Sequence, residues 1–161
     1  MGFLFQPKKI RDALSSKLLD RLKIHKSNPR KVQARVIKVL RSGRQKMKQD
    51  IVRVLDPQMS KVSSAMSKLR LAYQDGKRND VVVLKKEVTG LISDLLVDLE
   101  SQKGFFKKQS KLGKEIFEKF SPEIMGSYKE TQIERDYHML WKKYSEMDYR
   151  LFSFTKEIES Y

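Results

Sequence analysis

The sequence predicts an all-α protein, an elongated helical hairpin or bundle with coiled-coil-like packing. Apolar residues make up 39% of the 161 positions and recur mainly at spacings of three and four. Seven glycines and four prolines leave few residues for loops. Strand-like alternation is nearly absent, and the β-prone run Val81-Val82-Val83-Leu84 continues into a helically spaced apolar series. We therefore expect helices throughout.

Prolines and glycines predict where the helices begin and end. Asn28-Pro29, Asp56-Pro57 and Ser121-Pro122 each place a strong N-cap before a residue suited to the first helical turn. Asp75-Gly76 and Lys103-Gly104 are typical of helix ends. The predicted helices are 7–26, 29–55, 57–75, 79–103, 105–120 and 122–159. Because the apolar stripe runs through Asp56-Pro57, that break can instead be a kink in one long helix.

Two apolar stripes predict a helical hairpin over residues 57–103. The stripe of the first arm consists of Leu55, Met59, Val62, Met66, Leu69 and Tyr73. The stripe of the second arm consists of Leu84, Val88, Leu91, Leu95 and Leu99. Gln74-Asp75-Gly76-Lys77 is predicted to form the turn. Helices joined by so short a link pack antiparallel.

The last helix has the most regular repeat in the chain. Its heptad seam consists of Ile133, Tyr137, Leu140, Tyr144, Met147, Leu151, Phe154 and Ile158. Such a seam needs a partner helix, within the chain or from a second copy, and we expect these residues to mediate self-association. The aromatic content of the seam favours packing into a bundle over an isolated two-stranded coil.

No catalytic constellation is recognisable. The chain has no cysteine, which fits a reducing compartment, and its glycines form no phosphate-binding loop. His25 lies among lysines, and His138 has only Glu134 at ligand spacing, so packed or solvated histidines explain both better than a metal site does. We therefore expect no enzyme, no metal and no cofactor. No apolar run is long enough to span a bilayer.

Positive charge is concentrated at the start of the chain. Residues 1–50 carry 15 Lys/Arg and 3 Asp/Glu, which is a net charge of +12 out of +15 for the whole chain. Within 1–26, an apolar tip precedes a basic amphipathic helix that can lie in a membrane interface. The candidate membrane-binding residues are Phe3, Leu4, Phe5, Lys8, Lys9, Leu14, Leu18 and Leu22. An ordinary bundle helix with a solvated basic face would use the same leucines.

The next helix is a candidate polyanion-binding element. Its cations are Arg30, Lys31, Arg35, Lys38, Arg41, Arg44, Lys46 and Lys48, with no acid before Asp50. They could neutralise lipid headgroups or the phosphates of DNA or RNA, or they could be a solvated face. No recognition motif accompanies them, so any nucleic-acid binding should be nonspecific. The apolar tip at Phe3–Phe5 favours the membrane, because a nucleic-acid-binding protein has no evident need for it.

This layout resembles the superfamily that joins ESCRT-III proteins with the bacterial phage-shock protein A. The resemblance covers residues 1–100 and rests on Met1-Gly2-Phe3-Leu4-Phe5-Gln6-Pro7-Lys8-Lys9, on Leu18–Lys26 followed by Ser27-Asn28-Pro29-Arg30-Lys31, and on the turn Ala72-Tyr73-Gln74-Asp75-Gly76-Lys77. It implies polymerisation on anionic membranes, with residues 1–9 as the membrane contact. The acidic tail that recruits an ATPase in ESCRT-III proteins is missing, since residues 121–161 carry only −2.

These features predict three segments: a basic amphipathic segment at 1–26, a basic helix and hairpin at 27–120, and a heptad helix at 121–161. We expect a non-enzymatic protein that self-assembles on anionic membranes and remodels or scaffolds them. The expected location is cytoplasmic and peripheral to a membrane. The alternatives are a nonspecific nucleic-acid-binding or packaging protein and an adaptor whose basic arm binds an acidic protein.

Overall fold

Three helical rods packed side by side make up the computed structural model, which describes residues 29–119 and 133–161. The first rod comprises α1 (Pro29–Asp50), a π-helical turn (Ile51–Leu55) and α2 (Asp56–Gln74). The second is α3 (Arg78–Lys119), and the third is α4 (Ile133–Glu159). No strand occurs in these two ranges. The predicted all-α fold is thereby confirmed.

The first rod runs without a break through Asp56-Pro57. The backbone N–H of Asp56 donates to the carbonyl of Ile51, which is the wider π-helical bond. Proline lacks an N–H, and in a regular α-helix its ring clashes with the carbonyl four residues earlier. A π-turn just before Pro57 widens the backbone there, so the rod can continue. The prediction that a separate helix starts at Pro57 is wrong. The alternative prediction, in which one long helix passes through Asp56-Pro57, agrees with the structure.

The turn between the first two rods lies where the sequence predicts it. Gly76 has a φ of 69°, a conformation that glycine adopts without steric cost. The N–H of Lys77 donates to the carbonyl of Ala72 at 3.0 Å, and that of Gly76 donates to Tyr73 at 3.2 Å. These bonds close the end of α2, and α3 begins at Arg78.

The predicted helix end at Lys103-Gly104 is wrong. Helix α3 continues through Gly104 to Lys119, and no neighbouring group crowds the exposed glycine. The reason is tertiary packing: Phe106 and Leu112, both beyond the glycine, are buried against the other rods. Burial of these side chains outweighs the roughly 1 kcal/mol that a mid-helix glycine costs. The hairpin is consequently longer than predicted, with arms at 29–74 and 78–119.

Helix α4 runs parallel to the first rod and packs against both arms of the hairpin. Its direction follows from cross-helix contacts, because Asp136 meets Arg44, Lys143 meets Asp56, and Glu157 meets Arg70. The buried seam residues of α4 are Tyr137, Leu140, Tyr144, Met147, Leu151 and Ile158. Phe154 is partly buried at the margin of this seam, and the side chain of Ile133 lies outside the described part of the chain. The described side chains of the surface predicted for self-association are therefore covered within one chain.

The apolar stripes form the core with one correction. Five of the six stripe residues of the first arm are buried, but Tyr73 is 52% exposed. Ala72 takes the core position instead, and the ring of Tyr73 lies 4.6 Å from that of Tyr161, between centroids. In the second arm Val88, Leu95 and Leu99 are buried, whereas Leu84 and Leu91 are partly buried at the edge of the core.

Candidate polyanion interface

Two basic helical segments that are far apart in sequence meet at one end of the bundle. Residues 29–50 carry eight Lys/Arg and one acid, and residues 103–119 carry six lysines and two acids. The antiparallel hairpin brings them together, because Gly43 lies against the side chain of Gln109 and Gly113 lies against Leu40. The start of α4 packs beside both.

We call residues 29–50, 103–119 and 133–143 the basic end, and residues 51–102 and 144–161 the tip half. The basic end carries 17 Lys/Arg and 5 Asp/Glu, a net charge of +12. The tip half carries 10 Lys/Arg and 11 Asp/Glu, a net charge of −1. Nearly all of the chain's excess charge within the described ranges therefore lies in one half of the bundle.

On α1, five of the predicted polyanion-binding residues are exposed: Lys31, Arg35, Lys38, Arg41 and Lys48. Helical geometry places Arg35 and Lys38 on the side opposite the fully buried Leu40, so their charged groups reach outward from the bundle. The side chain of Arg30 is outside the described part of the chain. These cations form the outer surface of the basic end.

Three predicted cations on α1 contact other parts of the bundle, and Lys48 is one of them although it is exposed. Arg44, only 17% exposed, donates to the carboxylate of Asp136 on α4. The ammonium of Lys48 lies 3.7 Å from the other oxygen of Asp136. Lys46 lies over the ring of Phe105, with its Nζ 5.8 Å from the centroid. These residues hold α1 to α3 and α4, so they contribute less to binding an external anion than Arg35 or Lys38 can.

The lysines of α3 are functional candidates that the sequence reasoning missed. Lys107, Lys108, Lys111 and Lys114 are all exposed. The signal was available in the composition of residues 103–119, but the predicted break at Gly104 separated this segment from the hairpin. Only an arm that continues to Lys119 brings these lysines beside α1.

Lys103 differs from its neighbours because it is a structural cation. Its Nζ donates to Asp148 on α4 at 2.6 Å and to Glu100 at 3.1 Å, and its side chain is 17% exposed. The hydrogen bond to Asp148 is the main cause that raises the pKa of Lys103, against an opposing effect of burial. Lys103 therefore joins α3 to α4.

An aromatic cluster fixes the start of α4 against α3. The ring of Phe106 lies 5.5 Å from Tyr137, 5.3 Å from Trp141 and 6.0 Å from Tyr144, measured between centroids. Tyr137, Tyr144 and Phe106 are buried, whereas Trp141 is only partly buried. Trp141 is therefore the ring of this cluster that an external ligand can reach from solvent.

A buried polar group lies beneath the basic end, where the π-turn begins. Gln102 donates from Nε2 to the buried carboxylate of Asp50 at 3.0 Å. The hydroxyl of Tyr144 is also buried and has no hydrogen-bond partner among the described residues. Burial, and secondarily the charge of Asp50, raises the pKa of Tyr144 well above its ordinary value.

The other candidate residues in the sequence are the predicted membrane-binding residues and the two histidines. The predicted membrane-binding residues of the first segment, from Phe3 to Leu22, lie outside the described residues, as does His25. His138 is exposed on α4. Within residues 29–119 and 133–161, no group of three or more His, Asp or Glu side chains is placed to hold a metal ion. No helix in the described ranges has the length and hydropathy needed to cross a bilayer.

The fold and this surface define an all-helical three-rod bundle with a strongly basic end. Compared with protein-family models, curated proteins and solved structures, the chain has no match.

Proposed function

We propose that this chain is a non-enzymatic protein that docks through its basic end on an anionic membrane surface and scaffolds or remodels it. The observation that carries this proposal is the pairing of α1 with the second half of α3 and the start of α4, which gathers a net charge of +12 in one half of the bundle. Such a field attracts a polyanion over distances of a Debye length and orients the molecule as it approaches.

The membrane is preferred over nucleic acid because of the first segment of the sequence. Residues 1–28 precede α1 in the sequence and contain the apolar run Phe3-Leu4-Phe5. A chain that has both an apolar run and a basic surface suits a lipid interface, where hydrophobic insertion adds to headgroup attraction. Phosphates of a nucleic acid would use the lysines and arginines but not this apolar tip.

The first test is co-sedimentation of the full chain with phosphatidylcholine vesicles that contain or lack phosphatidylserine. The variant Arg35→Gln/Lys38→Gln/Arg41→Gln removes three exposed cations from the basic end. Its matched control, Lys61→Gln/Lys68→Gln/Lys86→Gln, removes three exposed cations from the tip half. At roughly 1 kcal/mol per cation near an anionic leaflet, the first variant should bind roughly a hundredfold more weakly. The control should change binding by less than about threefold, because its cations lie beyond a Debye length from the docked surface.

Equal losses for the two variants would mean that net charge alone causes binding, and the proposal would be wrong. A further triple variant, Phe3→Ser/Leu4→Ser/Phe5→Ser, separates the two polyanions. It should lose vesicle binding while its affinity for duplex DNA stays unchanged. If the full chain binds duplex DNA and ignores anionic vesicles, the nucleic-acid alternative replaces the membrane proposal.

Self-assembly and family membership are parts of the same proposal. Because the α4 seam is occupied within the chain, self-association through it requires α4 to leave its own hairpin and pack on that of a second copy. A mixture of two separately labelled populations, incubated with vesicles, should then show energy transfer between copies. Relationship to the ESCRT-III and phage-shock protein A superfamily stays a prediction, supported by the layout of residues 1–100.

A further inference from the structure

We infer that the groove between α3 and the start of α4, walled by Trp141 and three lysines, is where the bundle holds the headgroup of an anionic phospholipid. This inference rests on the proposed membrane function and names the contact through which the basic end would bind a lipid headgroup. It concerns a part of the surface that the α1 cations do not form.

The groove is open to solvent and is lined by chemical groups that can contact such a headgroup. It has a volume of about 450 Å³ and is lined by Phe106, Lys107, Ser110, Lys111, Lys114 and Trp141. The two aromatic rings lie 5.3 Å apart between centroids and form an apolar wall. The three lysines and Ser110 supply ammonium groups and a hydroxyl, each of which can donate a hydrogen bond to a phosphate oxygen.

The charge of the groove is left largely uncompensated by the protein. Lys111 is 3.8 Å from Glu115 at an open surface, where its own side chain is 79% exposed. Among the described side chains, no carboxylate lies within ion-pair distance of Lys107 or Lys114. The nearby Asp136 and Asp148 are already engaged by Arg44 and Lys103. A phosphate in the groove would therefore supply Lys107 and Lys114 with a counter-charge that the described side chains do not supply.

Trp141 explains why a lipid fits this groove better than a free phosphate does. Its indole is packed on Phe106 and has the ammonium groups of Lys103 and Lys107 at 5.9 Å and 5.7 Å from the ring centroid. Tryptophan is favoured at the boundary between headgroups and acyl chains, because it is apolar with a single N–H donor. The lysines can extend past it toward the phosphates.

Trp141 is the only tryptophan in the chain, so its fluorescence reports on this groove alone. The experiment titrates the full chain with phosphatidylserine-containing vesicles whose acyl chains are brominated, and brominated phosphatidylcholine vesicles serve as the reference. Brominated chains quench an indole only on close approach. We expect the emission of Trp141 to shift to shorter wavelength and to be quenched by the anionic vesicles only.

The test variant is Lys107→Gln/Lys111→Gln/Lys114→Gln, and its control is again Lys61→Gln/Lys68→Gln/Lys86→Gln. All six lysines are exposed or partly exposed on helices, so circular dichroism should show unchanged helicity for both variants. Because Lys107 lies over the indole, its replacement changes the fluorescence intensity of Trp141 even without lipid. The variants are therefore compared by the fraction of the emission that lipid quenches. The test variant should need roughly a hundredfold more lipid for half-maximal quenching, and the control should match the unmodified chain.

The outcomes separate this inference from the proposed function. If the chain sediments with anionic vesicles while the emission of Trp141 stays unchanged, the membrane function stands and the groove assignment is wrong. The assignment is also wrong if the two variants lose quenching equally. A response of Trp141 to duplex DNA but not to vesicles would overturn both. Inorganic phosphate that shifts the emission as strongly as vesicles do would show a free-anion site and overturn the lipid assignment.

Discussion

The two halves of the bundle share one helical architecture but are stabilised in different ways. In the tip half the core is aliphatic, with Val62, Met66, Leu69, Val88, Ile92 and Leu95 buried between rods of mixed surface charge. In the basic end the core is partly aromatic and contains the buried Asp50, which accepts a hydrogen bond from Gln102 of the tip half. Ion pairs join α1 and α3 to α4 there. The tip half also has an ion pair to α4, between Arg70 and Glu157, and a buried Asp98 that accepts a hydrogen bond from Gln58, but its surface charges balance.

The difference shows what a concentrated positive surface requires of the fold. Cations crowded on α1 and α3 repel one another, which opposes the compact state. The structure offsets this repulsion by placing Asp136 and Asp148 of α4 against Arg44 and Lys103. Helix α4 thus supplies the counter-charge that lets two basic helices lie side by side, while the outward cations stay available.

The largest expected effect concerns the aliphatic core of the tip half. Leu69→Ala removes a fully buried side chain and should lower the free energy of unfolding by about 2–5 kcal/mol, from lost burial and the cavity left behind. Leu71→Ala, two residues along the same helix, is the control because Leu71 is 59% exposed, and it should cost less than about 0.5 kcal/mol. Urea denaturation followed by circular dichroism measures both. Equal costs would contradict an aliphatic core as the basis of this half.

The next effect concerns the ion pair that joins α1 to α4 in the basic end. Asp136→Asn leaves Arg44 partly buried without its carboxylate, and should cost about 1–3 kcal/mol. The control Glu159→Gln removes an ion pair with Lys156 in which both side chains are more than half exposed, and should cost less than about 1 kcal/mol. Thermal unfolding at low and high salt compares them. If the two variants are equally stable, counter-charge from α4 is not what holds the basic end.

Glycine substitutions test the turn against the mid-helix position. Gly76→Ala forces a side chain onto a φ of 69° and should destabilise the hairpin by about 1–2 kcal/mol. Gly104→Ala meets no neighbouring atom within α3 and should stabilise the protein by roughly 0.5–1 kcal/mol. The opposite signs are measured by the midpoint of urea unfolding. Destabilisation by Gly104→Ala would indicate that α3 is interrupted there after all.

The smallest effect is confined to alkaline pH. The pKa of Tyr144 is raised in the folded state, mainly by burial, from an ordinary value of 10.0. The unfolded chain therefore loses this proton first, and the stability contributed by the neutral phenol is complete below pH 10 and is lost as pH rises further. Tyr144→Phe should reduce the fall in the free energy of unfolding above pH 10 and change that free energy little at neutral pH. Tyr149→Phe is the control because Tyr149 is 72% exposed, and an equal reduction there would refute the assignment.

Much of the fold was predictable because each helix carries its own pattern. The seam of α4 and the stripe of α2 are local repeats, and Gly76 marks a turn that can be recognised from neighbouring residues. The passage of the first rod through Pro57 was harder to predict, because a π-turn depends on the energy of continued packing on both sides. The same reason explains why the predicted helix end at Gly104 was wrong. The helix continues there because Phe106, beyond the glycine, is buried against another rod.

The sequence by itself determined the helical class, the apolar side of each helix and the excess of positive charge in the first fifty residues. Tertiary structure decided which of those charges face outward, because a cation such as Arg44 is withdrawn only when Asp136 is brought beside it from 92 residues away. It also decided that the lysines of α3 belong to the same surface as those of α1. The periodicity of apolar residues indicates which face of a helix is buried. Which charged residues of different helices share one surface depends on how the whole rods pack.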